Sequence, residues 1–125
     1  MGLIGSDDLL SVVVTNRFAA FFPCMEETMP AYVTLFNWTE KGVHDVKDTA
    51  KRAKAARAAW VAVGGRFIGI WWTMGQYDGV VIHETPDEET ANRLLMKIGM
   101  QGNIRTMTLR AFGEEDMERM LMSLG

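Results

Sequence analysis

Three side chains in the middle of the sequence have the chemistry to move a proton. Tyr77 and Asp78 are adjacent in the segment Gly75-Gln76-Tyr77-Asp78, and His83 follows shortly after them. A histidine titrates near neutral pH, and a carboxylate and a phenol can serve as base and acid in one pocket. We therefore take His83, Tyr77 and Asp78 as catalytic candidates. Each has a structural alternative, because a single histidine among polar neighbours is often simply hydrogen-bonded and turn carboxylates usually bind backbone amides.

The elements that would position these side chains can be read from hydrophobic periodicity. Alternating β-forming residues predict strands at 31–38, 67–73, 77–84 and 103–112. One helix is predicted from Gly42 to about Val63, a second begins at Pro86 with Thr85 as its cap, and a third covers 114–124. The order β-α-β-β-α-β-α predicts an α+β, ferredoxin-like domain. Its four-stranded antiparallel sheet carries two helices on one face, and a C-terminal helix is added.

Composition excludes several classes of protein. With 125 residues the chain is one domain, and its 48% hydrophobic and 23% charged residues are ordinary globular values. The net charge of −3 offers no overall field to attract nucleic acid or an anionic membrane. Cys24 is the single cysteine, and no Cys/His cluster predicts a metal. We expect a cytoplasmic protein with no metal and no cofactor.

Residues 1–28 differ from the remainder of the chain. The segment has no cationic start, and its apolar stretch is interrupted by Thr15-Asn16-Arg17, which is wrong for a signal peptide or a membrane span. A regular strand pattern begins only after Met29-Pro30. The sequence therefore predicts an N-terminal extension at 1–28 that lies outside a core domain at 29–125.

Strand alternation divides the sheet residues between two faces. The plain hydrophobes are predicted to face the helices: Val33, Leu35, Ile68, Ile70, Val80, Ile82 and Leu109. The other face is then too aromatic to remain in water, which predicts a homodimer packed sheet to sheet. With the usual strand order 4-1-3-2, polar side chains on this face are predicted to converge among its aromatic rings. They would form a pocket for a small apolar or aromatic ligand. The predicted ligand-binding residues are Tyr32, Thr34, Phe36, Trp71, His83, Thr108 and Arg110.

Five landmarks give the sequence a resemblance to a known family. They are Tyr32-Val33-Thr34-Leu35 with Asn37-Trp38-Thr39, Gly64-Gly65, Thr73-Met74-Gly75-Gln76-Tyr77-Asp78, Glu84-x-Pro86-Asp87, and Gly102-Asn103-Ile104-Arg105-Thr106 leading to Leu109-Arg110-Ala111-Phe112. Through them, residues 30 to about 122 resemble the GYD-domain family of small bacterial and archaeal proteins. The resemblance implies a ferredoxin-like fold related to the dimeric α+β barrels, and it implies no established activity.

Three functions are compatible with these observations. The first is a homodimeric interaction or small-molecule-binding module with an aromatic pocket between the sheets. The second is an enzyme of the dimeric α+β barrel type, such as a cofactor-free monooxygenase or an isomerase, that uses His83. The third is a structural or regulatory subunit whose only task is oligomerisation. A dry, filled interface favours the third function, whereas a cavity of a few hundred cubic ångström that reaches His83 favours the first two.

Overall fold

The structure, a computed structural model, describes residues 29–125. It confirms the predicted α+β, ferredoxin-like arrangement, with strands β1 (Ala31–Trp38), β2 (Arg66–Trp72), β3 (Gly79–Glu84) and β4 (Ile104–Ala111), and helices α1 (Glu40–His44), α2 (Thr49–Ala62), α3 (Glu88–Met100) and α4 (Glu114–Met122). The extension predicted at 1–28, which includes Cys24, lies outside the described residues.

The four strands form one antiparallel sheet with the order β2-β3-β1-β4, as predicted. β1 is therefore a central strand, and it pairs along its whole length with β4. Thr34 is opposite Val81 of β3 on one side and opposite Thr108 of β4 on the other. This register brings side chains from three strands within reach of one another near the middle of the sheet.

The first predicted helix is interrupted. α1 begins after Thr39, whose side chain accepts a hydrogen bond from the Gly42 amide, and it ends at His44 with Asp45 as its C-cap. A 3₁₀ turn, Val46–Asp48, separates α1 from α2. Gly42 lies inside α1 and is buried. A β-carbon on Gly42 would overlap the carbonyl oxygen of Asn103, the residue just before β4. The chain therefore turns twice before the long helix begins, which helical periodicity alone did not predict.

α3 begins two residues later than predicted and has a different cap. The Asp87 carboxylate accepts a hydrogen bond of 2.8 Å from the Thr90 amide, so Asp87 is the N-cap residue. The pKa of Asp87 is lowered chiefly by this backbone hydrogen bond. Thr85 is buried, and its hydroxyl donates to the Asp87 carbonyl at 2.7 Å. Thr85 thus supports the loop that leads into the helix instead of capping it.

The core lies between α2, α3 and one face of the sheet. Its buried centre consists of Trp60 from α2, Phe67 from β2 and Leu94 from α3. The indole of Trp60 meets the ring of Phe67 edge to face, with centroids 5.8 Å apart. Half-buried residues surround this centre: Ala56, Ala59, Ile70, Val81, Leu95 and Ile98. α2 presents mainly alanines on this side, so its side chains extend only a short distance towards the sheet.

The predicted assignment of sheet faces is wrong for β1, β3, β4 and the start of β2. Tyr32, Thr34, Phe36, Phe67 and His83 are buried on the side that the helices cover, which is where plain hydrophobes were expected. Alternation decides which residues share a face, but it does not decide which face the helices cover.

A bulge in β2 reverses the alternation within that strand, so Ile70 lies on the helix-covered side and Trp71 on the other side, as predicted. Phe67 is opposite His83, whereas Gly69 is opposite the neighbouring Ile82, so Ile68 is an extra residue in the strand. Phe67 and Ile70 consequently both pack on the core beneath the helices.

Candidate functional site

A chain of hydrogen bonds crosses the sheet beneath α2. His83 is completely buried, and its Nε2 lies 2.8 Å from the Thr34 hydroxyl. The Thr34 hydroxyl in turn lies 2.8 Å from the Thr108 hydroxyl. On the other side of the imidazole, the Trp60 indole N–H donates to His83 Nδ1 at 3.1 Å. We call these four residues, Trp60, His83, Thr34 and Thr108, the His83 network. His83, Thr34 and Thr108 thus converge as expected, but they do so under the helices.

The Trp60 indole determines the tautomer of His83. An indole nitrogen can only donate, so Nδ1 must accept and the ring proton resides on Nε2. Nε2–H then donates to the Thr34 hydroxyl. Burial lowers the pKa of His83 to about 4, because the charged imidazolium would lose its hydration without gaining an anionic partner. His83 is therefore neutral at pH 7, and both of its ring nitrogens are already engaged.

Aromatic rings enclose the imidazole. Tyr32 stacks on His83 with ring centroids 5.5 Å apart and an interplanar angle of 21°. Trp60 meets His83 at 67° with centroids 4.8 Å apart. Burial raises the pKa of the Tyr32 phenol. The Arg110 guanidinium lies 5.6 Å from the Tyr32 ring centroid and 4.5 Å from that of Phe112. Tyr32 and Arg110 thus close one end of the His83 network.

A cavity of about 360 Å³ lies between the sheet and the helices α2 and α3. We call it the interior cavity. Trp60, Phe67 and His83 lie at one part of its wall, and the short side chains of Ala53, Ala56 and Ala59 line α2 above it. From α3 and the sheet it is lined by Leu94, Leu95, Ile98, Phe36, Ile70, Val81, Ile104, Thr34 and Thr106. The wall is mostly apolar by area, as in small-molecule sites, and its remaining polar residues are Thr49, Gln101 and Asn103 together with His83 and two cations.

The charged residues of the interior cavity are all cations. Arg52 of α2 and Lys97 of α3 line it, and no aspartate or glutamate of the described chain does. Arg52 Nη1 donates to the Asp45 carbonyl oxygen at 3.0 Å. Its Nη2 is buried and has no hydrogen-bond partner within residues 29–125. A buried guanidinium nitrogen without a hydrogen-bond partner costs free energy, and no acceptor in the described part of the chain offsets that cost for Arg52.

Asp78 has a structural place at the end of β1. Its carboxylate accepts a hydrogen bond of 3.0 Å from the Trp38 amide, and its own amide donates to the Phe36 carbonyl at 2.9 Å. Its carbonyl accepts from the Thr73 amide at 2.9 Å, which closes the connection between β2 and β3. The preceding glycine, Gly75, has a φ of 112°, a conformation that other residues rarely adopt. Asp78 therefore ties two strands to the central one.

Tyr77 lies on the opposite side of the sheet from His83. Its hydroxyl is 3.9 Å from the Met107 Sδ, and its side chain is half-buried. Met107 lies on the face of the sheet opposite to α2 and α3. We call this face the open face. The three catalytic candidates are consequently not brought together, since Tyr77 and His83 are separated by the sheet itself.

The open face is apolar. It carries Val33, Leu35, Trp71, Val80, Ile82, Met107 and Leu109, which alternate with the helix-side residues in the strand registers. Trp71, Met107 and Leu109 are each about half exposed, at 51%, 51% and 50%. Of the seven predicted ligand-binding residues, only Trp71 lies here. The other six, Tyr32, Thr34, Phe36, His83, Thr108 and Arg110, belong to the helix-covered side.

Sequence reasoning missed two residues of this site. Neither Trp60, whose indole donates to His83, nor Arg52 was among the candidate site residues, although both lie in the helix predicted from Gly42 to about Val63. Spacing contained the signal, because Arg52, Ala56 and Trp60 follow one another at intervals of four residues and so lie on one side of α2.

Within residues 29–125, no three His, Cys, Asp or Glu side chains are grouped so that they could hold a metal ion. None of the helices described there combines the length and the apolar character that crossing a membrane requires.

Comparison with known sequences assigns the family. The sequence model of the GYD domain matches residues 32–121, which is most of the chain. The chain belongs to the GYD domain family. One relative of this GYD protein, a "glutamine synthetase and cystathionine beta-lyase binding protein" from Thermus thermophilus, is 27% identical over 90 residues. That match covers 71% of this chain and 95% of the relative.

A solved structure is also similar to this GYD protein. The crystal structure of TTHA0845, likewise from Thermus thermophilus, superimposes with a TM-score of 0.44 and 21% sequence identity. The superposition covers 68% of this chain and 95% of that one.

Proposed function

We propose that this GYD protein is an interaction module that forms a homodimer through its open face and binds a metabolic enzyme. The half-exposed apolar side chains on the open face carry the proposal. Trp71, Met107 and Leu109 stand on a sheet surface that also contains four half-buried aliphatic residues. A continuous apolar surface of this kind is what monomeric proteins avoid and interfaces use. Its own two-fold copy is the simplest cover, because sheet packs well on sheet.

With the faces reversed, a different set of residues would form the dimer interface. Aliphatic side chains and Trp71 would meet across the interface in place of the aromatic and polar set. A ligand pocket between the sheets is no longer built from His83, Thr34 and Thr108, because those residues lie beneath the helices.

A second apolar surface is available for a different partner. α4 and the segment before it expose Phe112, Met117 and Leu121, which line a shallow groove together with Glu114 and Glu118. The relative from Thermus is named for binding glutamine synthetase and cystathionine beta-lyase. By extension, we assign to this chain the binding of an enzyme of amino-acid metabolism through the α4 surface. The single cysteine, which allows no disulfide within the chain, supports a cytoplasmic setting.

No separate enzymatic function is favoured by a specific observation. His83 was the proposed base, but its two ring nitrogens bind Trp60 and Thr34, and its low pKa keeps it neutral. A general base needs a free nitrogen within reach of a substrate proton.

The dimer is tested by sedimentation velocity of the full-length chain and of Leu109→Glu. Wild type is expected to sediment as a dimer, and the variant as a monomer with an unchanged circular dichroism spectrum, because a charge would then face the partner sheet. Met100→Glu is the matched control. Met100 is 85% exposed at the end of α3, away from the open face, so this variant should remain dimeric. A monomeric wild type, or a dimeric Leu109→Glu, would refute the interface.

Enzyme binding is tested separately by biolayer interferometry against glutamine synthetase and cystathionine beta-lyase purified from the same host. At least one should bind wild type, and Leu121→Glu should abolish binding without changing the dimer, while Met100→Glu should bind normally. If neither enzyme binds wild type, the enzyme-binding half of the proposal is wrong. If Leu121→Glu binds as wild type does, the α4 surface is the wrong one.

A further inference from the structure

We propose that the interior cavity is a binding site for a small apolar carboxylate, with the carboxylate at Arg52 and the hydrocarbon against the rings of the core. This inference is independent of the dimer and of enzyme binding, because the cavity lies within one subunit on the other side of the sheet from the open face. Its volume of about 360 Å³ is within the range of small-molecule pockets.

The shape of the cavity follows from the composition of α2. Ala53, Ala56 and Ala59 line it from above with single methyl groups, whereas Trp60 and Phe67 fill the space next to them. A helix with longer apolar side chains at these positions would close the gap. The space is therefore a feature of this helix, and its walls match hydrocarbon, since burying apolar surface is favourable by roughly 25 cal/mol per Å².

The polar groups deep in the cavity are already paired. His83 and Thr34 line it, but His83 Nε2, His83 Nδ1 and the Thr34 hydroxyl all have hydrogen-bond partners in the His83 network. A ligand that placed a polar group there would have to break that network. The inner end of the cavity consequently selects an apolar group.

The charge of the cavity selects an anion at the other end. Arg52 and Lys97 are its charged residues, and the buried Nη2 of Arg52 has no partner within 29–125. The carboxylate of Asp45 pairs with His44 Nδ1 at 2.9 Å and is not part of the wall. A ligand carboxylate beside Arg52 and Lys97 would neutralise cations that lie beside apolar walls, and the covered Nη2 of Arg52 would gain an acceptor when the guanidinium turns into the cavity. Lys97 is exposed on α3, so the cavity reaches the surface beside it.

Octanoate and its neutral isostere 1-octanol provide the test. Isothermal titration calorimetry of the full-length chain at pH 7 should give one octanoate site per subunit and a weaker site for 1-octanol. Arg52→Met should weaken octanoate by at least ~10-fold, equivalent to about 1.4 kcal/mol, because it removes the cation and keeps the apolar stem. The same variant should leave 1-octanol unchanged. Ala56→Leu should weaken both ligands, because its side chain occupies the cavity.

Lys54→Met is the matched control, since Lys54 is an exposed cation of the same helix that does not line the cavity. It should bind both ligands as wild type does. If Arg52→Met does not fold, Lys97→Met makes the same comparison with the second cation. The proposal is refuted if octanoate does not bind, if 1-octanol binds equally well, if both cation variants leave octanoate unchanged, or if Ala56→Leu has no effect.

Discussion

At the scale of single residues, His83 is the most consequential polar side chain in the core. It is fully buried, and its hydrogen bonds to Trp60 and Thr34 join α2 to the two central strands. A neutral, fully paired imidazole is tolerated in an apolar interior, whereas a charged one is not. Burial makes His83 a poor base. For the same reason, protonation of His83 in acid should lower the free energy of unfolding.

The stability of the fold should therefore depend on pH through His83. Its pKa is about 4 in the folded protein, against 6.5 for an unperturbed histidine, so the unfolded chain binds the proton first. The free energy of unfolding is expected to be highest above pH 6.5, to fall as the pH drops towards 4, and to level off below that. The full loss is on the order of 3 kcal/mol, since each pKa unit corresponds to about 1.4 kcal/mol. Urea unfolding between about pH 7.5 and 4.5 measures most of this loss.

His83→Gln supplies the control for this prediction, because glutamine can accept from Trp60 and donate to Thr34 but does not titrate. The variant should be less stable at pH 7 and nearly independent of pH between about 6.5 and 4.5. The contributions of Asp45, Asp87 and Asp116, whose pKa values are lowered from 3.8, are lost as the pH falls from about that value through their lower folded pKa values, so most of that loss lies below the range in which His83 is compared. A wild type as insensitive to pH as His83→Gln would contradict the account.

At the scale of elements, the corner between β1 and α1 depends on close packing at Gly42. A β-carbon there would overlap the backbone carbonyl of Asn103, which cannot move aside as a flexible side chain can. Gly42→Ala is expected to destabilise by about 2 kcal/mol, because overpacking outweighs the better helix propensity of alanine. Gly99 in α3 has open space around its α-carbon. Gly99→Ala should stabilise by about 0.5–1 kcal/mol.

Thermal and urea unfolding of the two glycine variants measure this difference. Both sites are helical, so the propensity term has the same sign in each, and the close contacts of Gly42 with Asn103 and Trp38 distinguish them. Equal effects of Gly42→Ala and Gly99→Ala would show that α1 is not held tightly against the start of β4.

The order of the elements and the strand pairing could be predicted from the sequence. Which face of the sheet the helices cover could not. Alternation in β1 correctly grouped Tyr32, Thr34 and Phe36, and the predicted strand order brought Thr34 next to His83 and Thr108. His83 can face the helices because the Trp60 indole donates a hydrogen bond to its Nδ1. Without that hydrogen bond, burial of the histidine would cost free energy. Such a long-range hydrogen bond leaves no local pattern. The bulge at Ile68 likewise depends on how β2 pairs, which periodicity does not report.

At the scale of the whole molecule, the two sides of the sheet differ in what they present. The helix-covered side combines the His83 network with an interior cavity, and the open face presents apolar side chains to the outside. A ligand in the cavity would stabilise one subunit, and a partner on the open face would stabilise the pair, so each contributes to the folded state by mass action.

The proposed dimer predicts that thermal stability depends on protein concentration. If folding and association are coupled, each tenfold increase in concentration favours the native dimer by about 1.4 kcal/mol, which raises Tm by roughly 3 °C for a chain pair of this size. Differential scanning calorimetry over a hundredfold concentration range measures the slope. Leu109→Glu, which removes the interface, should melt lower and with no concentration dependence, whereas Met100→Glu should retain the wild-type slope. A wild-type Tm that does not change with concentration would mean that association through the open face contributes nothing to the stability of the folded chain.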